Sequence, residues 1–369
     1  MKTILGDDMY IFTRLNKVYD AMPATVSHSN KLFPRPPSPF DGPAMASTAP
    51  AITPPHVLQQ GMFATASYAN LRMRKEIELA EIIYYTVPKI PKAYSREYIN
   101  DRLKKIGGMT PFNLWLVKEL EAFFSLINTV KSSLQSIKHA IDVNSLGDTL
   151  NSEQLSVADD LYYQRIPELW RRSSGTAAPP PLQSLTTFIN DITARATHFE
   201  RILVLGREKN PAYWLGCFTN PQGLLTLLKQ EYIKHSIAND RSGNLENFVY
   251  QTEITNRDKD HLRDPPAEGM FVHGIYIWGA SWEKTTGELI DAPPRHGCTA
   301  LPVIHVTCWP LSEKPSMQDP VKVNETYQCP VFPSRLTARE PIFEIDLRHD
   351  SIPATRWALR GLSATVRPF

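Results

Sequence analysis

Two hydrophobic periodicities divide the sequence. From Asn70 to about His235, apolar residues recur every three or four positions, which predicts amphipathic helices. After about Asn247 the period changes to two, in short segments rich in β-branched and aromatic residues that predict strands. The chain is therefore predicted to be an α+β protein, with an N-terminal helical bundle followed by a small β module.

Start and stop signals divide the helical part into elements. Ser95 is the predicted N-cap of a first helix, which Gly107 and Gly108 end in left-handed conformations. Thr110 caps a long helix that begins at Pro111. The apolar stripe of this long helix consists of Leu120, Phe123, Phe124, Ile127, Val130, Leu134, Ile137 and Ile141. Such a stripe needs a partner surface, so we expect it to be buried against another body.

A second break, SSGTAAPPPLQ at residues 173–183, precedes another striped helix, which is predicted to end at Gly206. Its apolar positions are Leu185, Phe188, Ile189, Ile192, Ala196, Phe199 and Ile202. Asn220 and Pro221 then start a shorter predicted helix.

Six segments make up the predicted β module. They are FVYQTEIT, MFVHGIYIWGA, ALPVIHVTCWP, TYQCPVF, PIFEIDLRH and RWALRGLSATV. No helical pattern separates them, so we expect an antiparallel sheet that closes or folds over on itself. The prediction is a small antiparallel β-barrel.

The segment GMFVHGIYIWGASWE, residues 269–283, is predicted to be a core strand of that module. Alternation places Phe271, His273, Ile275 and Ile277 on one face, and Val272, Gly274, Tyr276 and Trp278 on the other. Both faces are mostly apolar, so we expect the barrel to cover one and the upstream helices the other. Gly274 and Gly279 should bend the strand or allow a close approach.

Composition and charge narrow the class of protein. The 369 residues suggest two or three domains, and 40 basic against 38 acidic side chains give no electrostatic case for nucleic acid or an anionic membrane. Without a signal-peptide pattern or an apolar run of about 20 residues, we expect a soluble intracellular protein. Eight of the 31 prolines fall in residues 34–55, which predicts a linker. The four cysteines show no close pairing, which favours a reducing compartment: Cys217, Cys298, Cys308 and Cys329.

Two local patterns are similar to chemical sites. RHGCTALPVIHVTC brings His296, Cys298, His305 and Cys308 together as in a zinc set, but His305 and Cys308 are three apart on a predicted strand and should face opposite sides. SWEK, residues 281–284, matches S-x-x-K of serine acyl-enzymes, yet it ends a strand. The sequence contains no P-loop or dinucleotide-binding motif. We therefore expect no catalytic, cofactor-binding or metal-binding residues.

Several segments resemble, in order, the C-terminal end of a dynein heavy chain. HVLQQGMFATASYANLRMRKE is similar to the end of the sixth AAA+ lid, and the Pro-Phe-Asn start of the long helix and YYQRIPELWRR follow as in the family. The later matching segments are WLGCFTNPQGLLTLLKQE, GMFVHGIYIWGASWEKTTGELIDAPP, LPVIHV, YQCPVF and RWALRGLSATV. NPQG at residues 220–223 looks most like axonemal outer-arm heavy chains. The ending GLSATVRPF departs from the aliphatic, cysteine-rich ending of the family.

The resemblance implies four regions: a poorly defined proline-rich linker at 1–55, a remnant of the sixth AAA+ lid at 56–75, the helical part of the dynein C-terminal region at 76–238 and its β-barrel part at 239–369. It implies a component of a minus-end-directed microtubule motor in the cytoplasm and cytoskeleton, most typically in a ciliary or flagellar axoneme. This portion would brace the AAA+ ring and tune the coupling between its modules.

The resemblance also implies which cofactors and partners to expect. ATP and Mg belong to AAA+ modules with Walker motifs, so this chain should hold neither and have no ATPase activity alone. The AAA+ ring is the implied partner, in cis or in trans. Intermediate chains, light intermediate chains and microtubules would be reached through other regions of a heavy chain.

Two other classes of protein stay open. One is a stand-alone β-barrel binding or docking module without a motor role, which would use the aromatic strand and the PRHGC loop. The other is a metal-dependent hydrolase that would use His296, Cys298 and His305. For partner contact, the sequence favours the faces of the long helices and the turn TTGEL at residues 285–289.

Overall fold

A computed structural model of the protein describes residues 55–143, 146–175, 183–237, 245–292, 297–313, 326–333, 340–349 and 352–367. The protein divides into two compact units, residues 1–72 and residues 73–369. The predicted linker at residues 34–55 lies outside the described ranges except for its last residue. The four predicted regions stay predictions.

Helices account for most of residues 55–237. Within the described ranges, the α-helices are α1 (Pro55–Thr86), α2 (Arg96–Lys105), α3 (Pro111–Asp142), α4 (Leu146–Thr149), α5 (Ser152–Tyr162), α6 (Glu168–Ser173), α7 (Leu185–Lys209), α8 (Pro221–Ile237) and α9 (Ala354–Leu359). None of these helices is both long and apolar enough to cross a membrane.

The predicted boundaries of α2 and α3 are confirmed. Ser95 Oγ accepts a hydrogen bond from the Tyr98 N–H at 3.2 Å, and Thr110 Oγ1 accepts one from the Asn113 N–H at 3.2 Å. Each bond satisfies an amide that the first helical turn leaves unpaired. Gly107, at φ 103°, begins the left-handed stop after α2.

The helix α7 runs past its predicted end. Gly206 has φ 72° and ψ −175°, which interrupts the helical geometry, but the helix resumes and ends at Lys209. A Cβ atom on Gly206 would lie 3.0 Å from Ile106 Cβ, so glycine also permits a close approach to the end of α2. The predicted stop at Gly206 is therefore a kink.

The apolar stripe of α3 is buried inside this protein. Its fully buried members are Leu120, Phe123, Ile127, Val130, Leu134 and Ile137. The helices α5, α6 and α8 pack along α3, and its outward face carries polar residues such as Lys118, Glu121 and Ser125. The body against which the stripe is buried is therefore the protein itself, and the α3 stripe offers no docking surface.

The strands lie between residues 213 and 365. Those in the described ranges are β1 (Tyr213–Trp214), β2 (Phe248–Ile254), β3 (Met270–His273), β4 (Tyr276–Trp278), β5 (Ala280–Glu283), β6 (Glu288–Asp291), β7 (Cys298–Ala300), β8 (Ile304–Pro310), β9 (Thr326–Phe332), β10 (Phe343–Arg348) and β11 (Ser363–Thr365). They form a four-stranded sheet in the order β1-β3-β8-β2, a five-stranded sheet in the order β10-β9-β11-β4-β7, and the hairpin β5-β6.

The α+β class is confirmed, but the predicted antiparallel β-barrel is wrong. In the described ranges the sheets are open, with β1 and β2 as edges of one and β10 and β7 as edges of another. The β1–β3 and β11–β9 pairs are parallel, so the sheets are also mixed. A hydrogen bond of 2.8 Å from the Asp346 N–H to Thr252 Oγ1 joins the two larger sheets.

Two glycines divide the predicted single strand at residues 269–283 into three. β3, β4 and β5 follow one another in sequence, yet each lies in a different sheet. Gly274 and Gly279 separate them, at φ 81° and 83°, and these left-handed conformations turn the backbone out of each strand. The expected bends are confirmed, and the continuous strand is wrong. Because the backbone moves to another sheet at each glycine, no single sheet collects enough strands to close.

The segment RWALRGLSATV is not one strand either. Its first part belongs to α9, and only its second part forms β11. Pro353 is the N-cap of α9, where proline needs no hydrogen-bond partner, and Ala358 and Leu359 favour helix. Gly361, at φ 69°, then releases the backbone toward β11. Local helix propensity outweighs the alternation of two in this segment.

Gly274→Ala is expected to destabilise the protein more than Gly279→Ala. Both positions have a left-handed φ, which costs an alanine roughly 1 kcal/mol. Only at Gly274 does the added Cβ meet a fixed group, because it would lie 2.6 Å from Trp214 Nε1, whereas nothing lies within 4 Å at Gly279. We expect losses in unfolding free energy of about 3 kcal/mol and about 1 kcal/mol respectively. Urea unfolding measures both, and equal losses would contradict the close approach.

Candidate functional site

Residues 210–220, which we call the junction loop, connect α7 to α8 with little regular structure. They contain only the two-residue strand β1 and the 3₁₀ turn Leu215–Cys217. Residues 210–213 and 215–218 are buried. Buried backbone N–H and C=O groups need partners, and here helical or sheet ladders supply few of them. Side chains therefore have to do so.

Three side chains of α7, spaced three residues apart, bond to the backbone of the junction loop. The bonds run from Arg195 Nε to the Cys217 carbonyl (2.9 Å), from the Trp214 N–H to His198 Nε2 (3.1 Å), and from Arg201 Nη2 to the Ala212 carbonyl (2.9 Å). Residues three apart are neighbours on a helix surface, so one side of α7 lies along the loop, and the helix and the loop run antiparallel. Arg195 is 1% exposed, and its guanidinium also lies 5.0 Å from the ring centroid of Phe123 on α3.

A buried carboxylate on α3 holds the other end of the junction loop. Glu119, which is 3% exposed, accepts hydrogen bonds from the Thr219 N–H (2.7 Å), the Thr219 hydroxyl (2.6 Å) and the Asn220 N–H (2.8 Å). Trp115, one turn earlier, donates to the Asn220 carbonyl at 3.2 Å. Asn220 Oδ1 accepts from the Gly223 N–H at 2.9 Å, so its predicted N-cap role is confirmed. The carboxylate also lies near the positive end of the α8 dipole.

The C-terminal segment packs on the same loop. Arg367 donates to the Gly216 carbonyl, and its Nη1 lies 3.8 Å from Asp191 Oδ2 on α7. Burial lowers the pKa of Arg367 to about 10, so its guanidinium stays charged at neutral pH. A Cβ on Gly216 would collide with the Val366 carbonyl oxygen. Arg367, within the ending that departs from the resembled family, thus helps to fix the junction loop.

A cleft of about 800 Å³, which we call the α7 cleft, lies beside the junction loop. Its walls include Thr197, His198 and Arg201 of α7, Trp214 of the loop, the turn at residues 258–261, His273 and Tyr276 on either side of the β3–β4 bend, and residues 300–303. Sequence reasoning missed this cleft, because its residues come from five separate segments and match no motif.

Two neutral histidines lie side by side in the α7 cleft. The ring centroids of His198 and His273 are 6.1 Å apart, at an angle of 88°. Burial is the main cause that lowers the pKa of His198 to about 3 and that of His273 to about 4, and the charges of Arg201 and Lys259 contribute to both shifts. Because His198 accepts the Trp214 N–H through Nε2, the proton of its neutral ring is on Nδ1.

The part of α1 in the larger unit is apolar on two sides. Leu79 and Ile83 are 0% and 3% exposed and belong to the main core. Met73, Ile77 and Tyr84 are 62%, 57% and 73% exposed, and their spacing of four and seven residues places them on one face. We call these three residues the α1 stripe.

The described residues of the zinc-like pattern are not brought together. Cys298 lies in the five-stranded sheet, whereas His305 and Cys308 lie in the four-stranded sheet. As predicted, His305 and Cys308 point to opposite faces of β8. His296 lies outside the described residues. Among the residues that the structure describes, no three His, Cys, Asp or Glu side chains are grouped so that they could hold a metal ion.

The other sequence-based candidates are surface features. Ser281 lies in β5 and Lys284 follows that strand, as predicted for SWEK, and Lys284 Nζ pairs with Asp258 Oδ1 at 2.8 Å. The TTGEL turn exposes Thr285 and Thr286, whereas Leu289 is buried. This turn therefore offers hydroxyl groups and no apolar contact surface.

Comparison with known proteins identifies the family. The family model described as the C-terminal domain of the dynein heavy chain matches residues 56–366, a range that includes α1, the junction loop and all three sheets. The protein belongs to this family of dynein C-terminal domains. The resemblance carried by the sequence motifs is thereby confirmed.

Several curated dynein heavy chains are similar to this protein. It is 30% identical over 291 residues to dynein axonemal heavy chain 5 of Mus musculus, a match that covers 78% of this sequence and 6% of that protein. It is 27% identical over 280 residues to the flagellar outer arm dynein beta chain of Chlamydomonas reinhardtii, with shares of 75% and 6%. It is 24% identical over 294 residues to the ciliary dynein beta chain of Tripneustes gratilla, with shares of 79% and 6%. The sequence thus spans a small fraction of the length of these relatives.

The dynein-like segment WLGCFTNPQG coincides with the junction loop and the start of α8. Its glycines have packing reasons, since a Cβ on Gly223 would lie 2.8 Å from Trp115 Nε1. The α7 side chains that hold the loop were missed. Arg195, His198 and Arg201 could have been found as a polar row beside an apolar stripe, on a helix with buried neighbours. In the sequence alone, this polar row is the same as that of a solvent-exposed helix face, because nothing there shows that the junction loop packs against it.

Glu119→Gln is expected to destabilise this dynein C-terminal domain strongly. Glutamine has an NH₂ group in place of one carboxylate oxygen. This donor would face a backbone N–H group that now donates a hydrogen bond to Glu119, so two donors would meet. We expect unfolding free energy to fall by about 3 kcal/mol. Glu121→Gln, on the exposed face of the same helix, is the control and should change it by less than about 0.5 kcal/mol. Equal denaturant midpoints for the two variants would contradict the buried anchor.

His198 and His273 are expected to make the domain acid-labile. In the folded protein their pKa values are about 3 and 4, whereas the usual value is 6.5. Below pH 6.5 the two histidines therefore bind protons in the unfolded chain but not in the folded chain. Stability should be complete above pH 6.5 and fall toward pH 4, by roughly 1 kcal/mol per histidine per pH unit. His273→Gln should flatten this slope, and the exposed His139→Gln should not. Urea midpoints for wild type that are equal at pH 7 and pH 5 would contradict this.

Proposed function

We propose that this protein serves as the C-terminal structural element of a dynein heavy chain, in a minus-end-directed microtubule motor of a cilium or flagellum. The family match supports this proposal, and so does the similarity to relatives that are axonemal, ciliary and flagellar dyneins. In that role the domain braces the AAA+ ring and tunes the coupling between ring modules, either in cis or as a separate polypeptide.

Under this proposal, ATP hydrolysis belongs to AAA+ modules elsewhere in a heavy chain. The sequence contains no G-x-x-x-x-G-K-[ST] motif, which is the phosphate-binding loop expected of such modules. The domain would then contribute no ATPase activity alone. Microtubules, intermediate chains and light intermediate chains would be reached through regions outside the matched segment, since the match covers about 6% of the relatives.

The observation that carries the bracing role is the α1 stripe. Three large apolar side chains on one helix face stay exposed while another face of the same helix is part of the core. A helix that is apolar on both sides is typical of one sandwiched between two bodies. Only one of the two bodies is provided by the described part of this protein, so the AAA+ ring is the proposed second body.

The proposed docking face is apolar with a polar border. Arg74 and Glu78 form an ion pair of 2.9 Å along the same helix, within one turn of the stripe. Such a border adds little affinity but fixes the register of a contact, whereas burial of apolar surface supplies most of the free energy. A complementary apolar patch on the ring is therefore expected.

The test is binding of this protein in trans to a purified axonemal dynein motor fragment that ends before its own C-terminal domain. Met73→Gln/Ile77→Gln/Tyr84→Ser should weaken binding by at least about tenfold, since burying such side chains contributes roughly 1 kcal/mol each. Analytical size-exclusion chromatography and fluorescence anisotropy measure the affinity. The free variant should melt within about 2 °C of wild type, because the stripe is exposed.

A matched control separates docking from general loss of apolar surface. Met109→Gln/Leu359→Gln/Tyr163→Ser alters residues that are 75%, 88% and 62% exposed elsewhere on the protein, and should bind as wild type does. Equal affinity of the stripe variant and wild type would contradict the docking face. Failure of the wild-type protein to bind the ring fragment would contradict the bracing role itself.

A further inference from the structure

We propose that the α7 cleft is a binding site for a small organic anion that carries a phosphate or carboxylate group on an unsaturated or apolar body. This site is separate from the α1 stripe and does not depend on docking to an AAA+ ring. Three separate observations support this proposal: the size of the cleft, its charges and its unused hydrogen-bond donors.

The first observation is size and wall chemistry. A volume of about 800 Å³ is within the range of cavities that hold small molecules. Trp214 and Tyr276 provide aromatic surface, while Leu301, Pro302 and Val303 provide an apolar wall. A cleft whose wall is nearly as polar as it is apolar, with aromatic surface beside the polar groups, suits an organic ligand better than a simple ion.

The second observation is charge. Arg201 and Lys259 line the α7 cleft, and both lower the pKa of His198 and His273 by charge repulsion. Two acidic side chains also line it, but Asp258 is paired with Lys284 at 2.8 Å. Neither acid is among the charges that act on the two histidines. The charged side chains that act on the imidazole pair, Arg201 and Lys259, are therefore both positive.

The third observation is a set of donors without acceptors. Within the described residues, His198 Nδ1, the His273 ring and Lys259 Nζ have no hydrogen-bond or ion-pair partner. Arg201 uses Nε and Nη2 for Asn210 and Ala212, which leaves its Nη1 available. Nearly all of these groups donate, and an anionic oxygen is what accepts from them.

The whole protein can be tested by isothermal titration calorimetry with phenyl phosphate, benzoate and the neutral analogue benzamide. We expect at least one of the two anions to bind, and at least tenfold more tightly than benzamide. Binding of phenyl phosphate alone would assign a phosphate ligand, and binding of benzoate as well would assign a carboxylate-tolerant site. If both anions bind no better than benzamide, the proposal is wrong.

Lys259→Gln is the decisive variant, because Lys259 is exposed on a short turn and should be dispensable for folding. It should weaken anion binding at least fivefold, whereas Lys138→Gln, an exposed lysine of α3, should leave it unchanged. Arg201→Gln should weaken binding further, but it also removes a bond to the junction loop. Unchanged affinity in Lys259→Gln would overturn the proposal even if an anion binds elsewhere.

Proton uptake gives a readout that a purely structural role would not move. A bound anion favours the imidazolium form of His273, whereas His198 Nε2 accepts the Trp214 N–H and cannot take a proton without losing that bond. Binding should therefore draw protons from the buffer to His273 and become tighter as pH falls from 7.5 to 5.5. The charged and titratable side chains that line the α7 cleft together with the histidine pair are those of Arg201, Lys259, Asp258, Asp260, His261 and Tyr276. Calorimetry in two buffers of different ionisation heat measures the uptake. Its absence in wild type would place the anion away from the histidines and contradict the assignment of this site.

Discussion

A buried loop must pair its backbone polar groups, and the junction loop meets this demand with ionised side chains. Arg195 and Glu119, both almost fully buried, are compatible with a protein interior only because backbone carbonyl and N–H groups pair with them. The dependence is mutual, since the loop backbone would be unsatisfied without them. The loop therefore ties α3, α7, the start of α8 and the C-terminal segment into one arrangement.

The need to pair the backbone polar groups of the junction loop also shapes the α7 cleft. His198 is anchored through Nε2 to the loop, and this bond leaves its proton on the other nitrogen. Arg201 is anchored through two of its nitrogens in the same way. Side chains that are held in place by the fold are preorganised, so a ligand would not have to order them. His198 and Arg201 are thus both anchors of the loop and proposed ligand donors, so this wall of the cleft follows from how the loop is held.

Local signals in the sequence were enough for the starts of α2 and α3 and not enough for the sheets. Capping at Ser95 and Thr110 depends on neighbours within three residues, and the structure has both caps as predicted. Strand order depends on partners far away in sequence, and the close approach at Gly274 is to the indole of Trp214, sixty residues earlier. The alternation of apolar and polar side chains predicts that a segment is a strand, but not which sheet the strand joins. The open sheets and the α7 cleft could not be derived for this reason.

Periodicity also shows that a face is buried without showing what buries it. The stripes of α3 and α1 have the same spacing, yet α5, α6 and α8 cover the first, and no described helix covers the second. The inner face of α1 belongs to the same hydrophobic cluster as residues of the junction loop, such as Leu215. Protein cores are close-packed and resist compression, so force on the outer face of α1 would be carried into that cluster instead of being absorbed at the surface. Under the proposed function, this continuity is what makes the domain a stiff brace.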